Sequence, residues 1–182
     1  GKTVSPGVYV LTYESNEDRT YANLYHHWAC KEIAALASLD LGGDMKAWYS
    51  CADGVLDPDS AVTFEDYLEL LFKAYDFGEW RDRQPSPRPP LYTGSVLDRA
   101  VEEGILSRQE AALIDLKGPI GRLRATLLAT RLLRIPVSGK LAPFGDISGI
   151  ARSAFGPLNA AAELGLVVGR LDDMFMPYEP ML

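Results

Sequence analysis

The fold is decided by a stretch that reads Tyr21-Ala22-Asn23-Leu24-Tyr25-His26-His27-Trp28-Ala29. A related opening, Phe144-Gly145-Asp146-Ile147, stands much later in the chain. Both begin with an aromatic residue, carry Asn or Asp two positions further on, and continue with an aliphatic residue. Recurring landmarks of this kind indicate a fold built from stacked units rather than one irregular domain.

Glycines mark the period of the repeat. The glycines that follow predicted helices are Gly42, Gly104 and Gly165, spaced 62 and 61 residues apart. The apolar residue that precedes each second helix is Val62, Ile120 and, by extension, Met181. One helix pair cannot bury its own apolar faces, whereas three pairs packed around a common axis can. We therefore expect an all-α fold of tandem helical pseudo-repeats that form a three-fold pseudo-symmetric bundle.

Capping patterns and apolar spacing predict where the helices begin and end. Thr63 with Asp66 and Ser107 with Glu110 have the spacing of capping boxes. We expect a helix over 94–103, another after Gly121, and a last helix that starts near Pro157, because proline suits a first turn. An earlier amphipathic helix is expected over 27–41. Inward-facing residues of the helix after Gly121 are expected to be Ala125, Leu128, Ala129, Leu132 and Leu133.

The repeat also divides the chain. Residues 1–20 are expected to be an N-terminal extended segment, with a strand-like run over 8–13. Residues 21–182 are expected to form one module with repeats over about 21–83, 91–135 and 141–182. Prolines between 84 and 90 predict an extended linker between the first two repeats. The third repeat is expected to be truncated, since position 182 corresponds to the start of its second helix.

Composition excludes several classes of function. The chain has 182 residues, a formal net charge of −7 and 47% hydrophobic residues, which is typical of a folded protein. The acidic balance argues against nucleic acid as a partner. No apolar run approaches the roughly 20 residues that cross a bilayer, so membrane insertion is not expected. No leader sequence is visible, and because the chain begins at Gly1 this carries no conclusion about export.

Metal and catalytic motifs are weak. His26, His27 and Cys30 do not make a zinc site, because adjacent helical histidines point apart and no second cluster completes the ligands. Asp53, Asp57, Asp59 and Glu65 lack the spacing of a calcium loop. No histidine-based triad, phosphate-binding glycine loop or separated carboxylate pair stands out, and adjacent acids such as Asp172-Asp173 are usually solvated. We expect no cofactor and no enzymatic activity. Cys30 and Cys51 are expected to be unpaired, with a disulfide as the alternative.

Several motifs together resemble the S-layer homology family. Tyr21-Ala22-Asn23-Leu24 followed by His27-Trp28-Ala29 is similar to the first half of its repeat. Val62-Thr63-Phe64-Glu65-Asp66 and Ile120-Gly121-Arg122-Leu123-Arg124-Ala125 are similar to the motif that opens its second helix. Phe144-Gly145-Asp146-Ile147 and Phe175-Met176-Pro177 look like landmarks of a third repeat. The resemblance covers about 21–182.

The resemblance implies non-covalent anchoring of a bacterial surface protein to anionic cell-wall polysaccharide, with an extracellular location in the cell wall or S-layer. Family members grip a pyruvylated amino sugar in grooves between repeats, using an arginine with nearby Asp and aromatic residues. An arginine can hold the ketal carboxylate through two parallel hydrogen bonds. The polysaccharide-binding residues are then expected to be Asn23, Trp28, Thr63, Arg122, Arg124 and Asp146. The family arginine is replaced by Phe64 in the first repeat and survives as Arg122 in the second.

Each of these residues also has an alternative role. Trp28 could be a core residue, Arg122 and Arg124 could be solvated helix-face arginines, and Asn23 and Asp146 could be loop or cap residues. The alternative function is a degenerate repeat domain that binds other surface-layer proteins or acts as a spacer on the cell surface.

Overall fold

A computed structural model describes residues 26–27, 29–31, 57–83, 94–170 and 173–181, with side chains described up to Tyr75 and Asp76 in the first long helix. The predicted strand over 8–13, most of the predicted helix over 27–41, and the linker over 84–90 lie outside the described residues, as do Asn23, Trp28 and Cys51. Cys30 is half-buried with a free thiol, and the expected unpaired state of Cys51 stays a prediction.

The regular secondary structure of the described residues is helical, which confirms the predicted all-α class. In chain order the α-helices are α1 (Phe64–Arg83), α2 (Val96–Glu102), α3 (Arg108–Ala112), α4 (Arg122–Leu132) and α5 (Arg152–Glu163), with a 3₁₀ turn over Ile147–Gly149 before α5. Within the described ranges there is no β-strand, and antiparallel pairing is confined to two isolated bridges. No helix in these ranges is long and apolar enough to cross a membrane.

The predicted caps are confirmed. The Thr63 hydroxyl accepts a hydrogen bond from the Asp66 N–H at 3.1 Å and donates to the Asp66 carboxylate at 2.6 Å. Ser107 and Glu110 form a complete capping box at the start of α3. Gly104 and Gly165 follow α2 and α5 with φ of +73° and +71°, the left-handed conformation that glycine adopts at helix ends without steric cost.

Two predictions about helix ends are wrong. The last helix begins at Arg152, so Pro157 lies inside α5 instead of in its first turn. A proline there cannot donate to the carbonyl of the preceding turn, yet burial of Ile150 and Ala154 in the core keeps the earlier turn helical. Leu133 follows the last residue of α4 and is 47% exposed, because the helix ends before this position can turn inward.

Two apolar clusters meet across α4. The first contains buried residues of α1, α2 and α4, together with Ile105, Leu106 and Ile120. The second contains Phe144, Ile147, Ile150, α5 residues and Phe175. Helix α4 contributes side chains to both clusters. Its residues Ala125, Leu128 and Leu132 are buried in the first cluster. Leu123 and Leu127 pack against the second cluster.

Helices α1 and α2 are also joined by a polar contact. Arg99 of α2 donates two hydrogen bonds to the Asp76 carboxylate of α1, at 2.8 and 2.5 Å. Its guanidinium also lies over the Phe72 ring, 4.4 Å from the ring centre. A two-pronged arginine–carboxylate pair fixes orientation as well as distance, so this contact sets how α2 lies on α1.

Three chain segments meet in a closed ring of backbone hydrogen bonds. Val62 N–H donates to Met181 at 2.8 Å, Met181 N–H donates to Ile120 at 2.8 Å, and Ile120 N–H donates to Val62 at 3.0 Å. These are the three residues that the repeat analysis aligned. Each residue donates once and accepts once, so the ring satisfies its own backbone groups where three segments converge.

The starts of α1 and α4, which follow the ring, have the same pattern of backbone hydrogen bonds. Phe64 and Glu65 at the start of α1 donate from their N–H groups to Gly118 and Leu116. Arg122 and Leu123 at the start of α4 donate in the same way to Glu179 and Pro177. Phe64 and Arg122 therefore occupy equivalent backbone positions, as the sequence alignment of the repeats predicts.

The helix-ending glycines give a direct test of the fold. Gly104→Ala should lower the free energy of unfolding by about 1–2 kcal/mol, because alanine is strained at positive φ. Gly149→Ala is the control, since Gly149 is not at positive φ and has open space around it; its effect should stay within about 0.5 kcal/mol. Chemical denaturation measures both. Equal effects of the two substitutions would contradict the assigned helix end.

Candidate functional site

A groove opens where the start of α4, the end of α5 and the C-terminal loop meet. The C-terminal loop is the chain after α5, described over 164–170 and 173–181. Its cavity has a volume of about 260 Å³. Most of the walls are apolar, and the polar side chains in them are few, including Arg122, Tyr67 and Thr126. The lining residues are Tyr67, Arg122, Ala125, Thr126, Ala129, Ala161, Leu166, Val167, Val168, Phe175 and Met181. A largely apolar groove with a few fixed polar groups is the usual form of a small-ligand site.

Arg122 is held in this groove by the C-terminal loop. Its Nε donates to the Phe175 carbonyl at 2.8 Å, and one Nη donates to the Val168 carbonyl at 3.1 Å. The guanidinium carbon lies 5.2 Å from the centre of the Phe175 ring, within the range of a cation–π contact. A guanidinium carries five N–H donors, so these two hydrogen bonds leave three donors without a hydrogen-bond partner among the described residues.

Asp146 shapes the loop that Arg122 contacts. Its two carboxylate oxygens accept hydrogen bonds from the N–H groups of Phe175 and Met176, at 2.8 and 2.6 Å. Met176 has a φ of +56°, a conformation that costs energy for a residue with a side chain. The carboxylate therefore fixes a strained turn, and Phe144 supports it by stacking on Phe175 with ring centres 5.2 Å apart.

Arg122 and Asp146 thus hold the two backbone groups of the same residue, Phe175. Asp146 accepts from the Phe175 N–H, and Arg122 donates to the Phe175 carbonyl. A side chain locked in this way loses little conformational freedom when it binds a ligand. The arrangement presents a positively charged edge, pre-oriented beside an aromatic ring.

The pKa values reflect this environment. Burial lowers the pKa of the Arg122 guanidinium, and the positive charge of Arg170 lowers it further against the opposing charges of Glu179 and Asp146. Partial burial would raise the pKa of Asp146, but hydrogen bonds from the Phe175 and Met176 N–H groups outweigh it and lower the pKa. Burial also raises the pKa of Tyr67, whose hydroxyl donates to the Ala125 carbonyl at 2.7 Å.

The remaining predicted site residues lie elsewhere. Thr63 caps α1, and Arg124 lies exposed with its guanidinium carbon 5.2 Å from the centre of the Phe64 ring. Of the predicted set, the structure brings Arg122 and Asp146 together at Phe175. Their role in polysaccharide binding, like that of Thr63, Arg124, Asn23 and Trp28, stays a prediction.

Phe64 changes the equivalent position at the start of α1. It occupies the place that Arg122 has on α4, and it is 3% exposed within the first apolar cluster. An apolar ring at this position cannot donate to a carboxylate. The structure thus gives the two helix starts different chemistry, as the departure from the repeat pattern predicts.

Three residues of the groove region were not identified as site residues from the sequence. Phe175 was recognised as a repeat landmark, but its contact with Arg122 depends on a turn separated from α4 by more than forty residues. Val168 contributes only its backbone carbonyl, which no side-chain pattern indicates. Arg170 lies beside the groove and pairs with Glu179 at 3.1 Å, a contact with no helical spacing to reveal it.

Metal-ligating side chains do not gather in the described part of the chain, where no group of three His, Cys, Asp or Glu residues could hold an ion. His27 lies 3.2 Å from the Asp59 carboxylate, and its other ring nitrogen accepts from the Ala29 N–H. Both ring nitrogens are thus used in local hydrogen bonds.

Asp146→Asn should lower the free energy of unfolding by about 1–2 kcal/mol at pH 7. The amide has one accepting oxygen, whereas the carboxylate uses two oxygens to accept hydrogen bonds from the Phe175 and Met176 N–H groups. Since the folded-state pKa is lowered, this stabilisation is present above the unfolded-state pKa of about 3.9 and is lost as pH falls through the folded-state value. The difference between wild type and variant should therefore shrink below about pH 4.

Denaturation curves at pH 7 and pH 3 measure this difference. Asp98→Asn on the exposed face of α2 is the matched control and should change stability by less than about 0.5 kcal/mol at either pH. A difference for Asp146→Asn that is constant across this pH range would show that its carboxylate charge does not hold the turn.

Comparison with known proteins gives one family. Residues 143–181 match the family model of the S-layer homology domain. The matched range contains Phe175, which lines the groove, and also Phe144 and Asp146, which hold Phe175 in place. No curated protein and no solved structure gives a match to the chain. S-layer homology domains generally anchor surface proteins to cell-wall polymers. Residues 143–181 are therefore similar to an S-layer homology domain, a kind of domain found in proteins of the cell surface.

Proposed function

We propose that this chain binds an anionic cell-wall polysaccharide in the Arg122 groove and so anchors a bacterial surface protein outside the cell. The observation that carries the proposal is the fixed Arg122 guanidinium, which lines a groove whose walls come in part from the family-matched residues 143–181. A carboxylated sugar offers two oxygens to that edge and an apolar ring face to the groove wall.

The electrostatics of the whole chain also bear on the ligand. With a net charge of −7, the chain does not attract an acidic polymer at long range. Affinity must then come from local contacts, and Arg122 supplies one in a partly desolvated position where charge–charge attraction is stronger than in water. We infer a binding module, since the groove presents a hydrogen-bond donor and apolar walls of the kind that hold a sugar ring.

We further infer that the repeats are arranged around a pseudo-three-fold axis through the Val62, Ile120 and Met181 ring. The closed pattern of three hydrogen bonds supports this, because each segment donates to one neighbour and accepts from the other. The equivalent bonding at the starts of α1 and α4 supports it as well. Grooves between units are then expected to differ, with arginine on α4 and Phe64 on α1.

The test is co-sedimentation of the chain with purified wall sacculi, before and after acid extraction of the secondary polymer. Wild type should sediment with intact sacculi and lose binding after extraction. Arg122→Ala should weaken binding at least about tenfold, as expected when one partner of a desolvated charge pair is removed. Arg122→Lys should restore only part of it, since an ammonium cannot form the two-pronged contact.

A control variant distinguishes the loss of a positive charge in general from the loss of the arginine in the groove. Arg152→Ala removes an exposed arginine at the start of α5, nine residues before the groove residue Ala161 and so about 13 Å away along the helix. It should bind as wild type does. Thermal unfolding of each variant distinguishes lost binding from lost fold, which matters because Arg122 also supports the loop. Wild-type chain that stays in the supernatant with intact sacculi would refute the proposal.

A second candidate is a protein-interaction module or spacer. Exposed apolar side chains favour it: Val137 is 70% exposed, Leu141 85% and Leu164 61%. Val137 and Leu164 border an open groove between the segment after α4 and the end of α5. Protease treatment of the sacculi discriminates the candidates. Binding that survives protease and is lost on polymer extraction supports polysaccharide, whereas the reverse supports a protein partner.

A further inference from the structure

Arg170 lies beside the groove but has no role in holding the loop comparable to that of Arg122. Arg170 follows the groove residue Val168 by two positions. Its backbone N–H donates to the Met174 carbonyl at 2.8 Å. Its guanidinium makes a single 3.1 Å contact with the Glu179 carboxylate. The two side chains are 39% and 46% exposed, so water competes with this pair and the pair is weak.

Glu179 connects Arg170 to Arg122. The Glu179 backbone carbonyl accepts from the Arg122 N–H at 2.9 Å, while its side chain reaches Arg170. The backbone of Glu179 is therefore anchored at the start of α4, whereas its carboxylate is held, among the residues that the structure describes, by one exposed ion pair. This differs from Asp146, whose carboxylate is fixed by two backbone N–H groups.

The charges around the groove balance in this arrangement. Two arginines, Arg122 and Arg170, stand against two carboxylates, Asp146 and Glu179. The charge of Arg170 is close enough to lower the pKa of Arg122. An incoming carboxylate would meet one arginine that is already oriented and a second arginine whose one side-chain partner in the described part of the chain is a weak, exposed carboxylate.

We propose that Arg170 is a second ligand-binding cation of the groove, and that it exchanges the Glu179 carboxylate for the carboxylate of an acidic sugar. This inference rests on the proposed function and adds a second contact to it. Glu179 then acts as an internal competitor that lowers the affinity for acidic ligands and favours those whose carboxylate can reach both arginines. Neutral sugars gain nothing from the exchange, so the pair contributes to specificity.

The experiment compares two substitutions with opposite expected effects. Arg170→Ala should weaken binding of a pyruvate-ketal amino sugar glycoside about two- to fivefold, the range for one partly exposed charge pair. Glu179→Gln should strengthen it by a similar factor, because it removes the competing carboxylate and leaves Arg170 in place. Titration calorimetry at low ionic strength measures both, and both effects should shrink in high salt.

The same sugar without the ketal is the ligand control, and Arg152→Ala is the protein control. Binding of the ketal sugar that is unchanged in Arg170→Ala, or weakened in Glu179→Gln, would overturn the role of Arg170 and leave the proposed function standing. A wild-type chain that binds neither the ketal sugar nor intact sacculi would overturn both. Thermal unfolding should show both variants folded, since their ion pair is exposed.

Discussion

The ring of three backbone hydrogen bonds at Val62, Ile120 and Met181 is the constraint on which the other contacts depend. It brings together segments that are 58 and 61 residues apart in sequence, through single backbone hydrogen bonds and not through a β-sheet. Ile120 is 1% exposed, so its N–H and carbonyl groups need partners from the protein itself. The ring supplies those partners, and the starts of α1 and α4 take their positions from it.

The groove follows from that constraint. Because α4 begins immediately after the ring, Arg122 lies against the loop that ends at Met181, and the Phe175 peptide is within reach of both Arg122 and Asp146. The contact that orients Arg122 for a ligand is also a contact that folds the loop. Structure and proposed binding are therefore not separable at this residue, whereas Arg170 and Glu179 form an exposed pair outside the two apolar clusters.

Local chemistry made much of the fold predictable from the sequence. Caps at Thr63 and Ser107 and glycines at helix ends depend on neighbouring residues, so their patterns are visible in the chain. The predicted helix start near Pro157 is wrong, because burial of Ile150 and Ala154 outweighs the preference of proline for a first turn. Arg122 and Asp146 could be identified as residues of interest from their motifs. Their shared hold on Phe175 could not, because it depends on tertiary packing and on backbone carbonyls.

Phe64 at the position equivalent to Arg122 has a consequence for the strength of attachment. Of the two helix starts described at this position, one carries an arginine and the other an apolar ring. Under the proposed function, a single arginine-bearing groove makes attachment by this segment monovalent, so retention depends on the dissociation rate of one contact. Lasting adhesion would then come from avidity among many copies in a surface array, where neighbouring contacts raise the effective concentration of each groove near the wall.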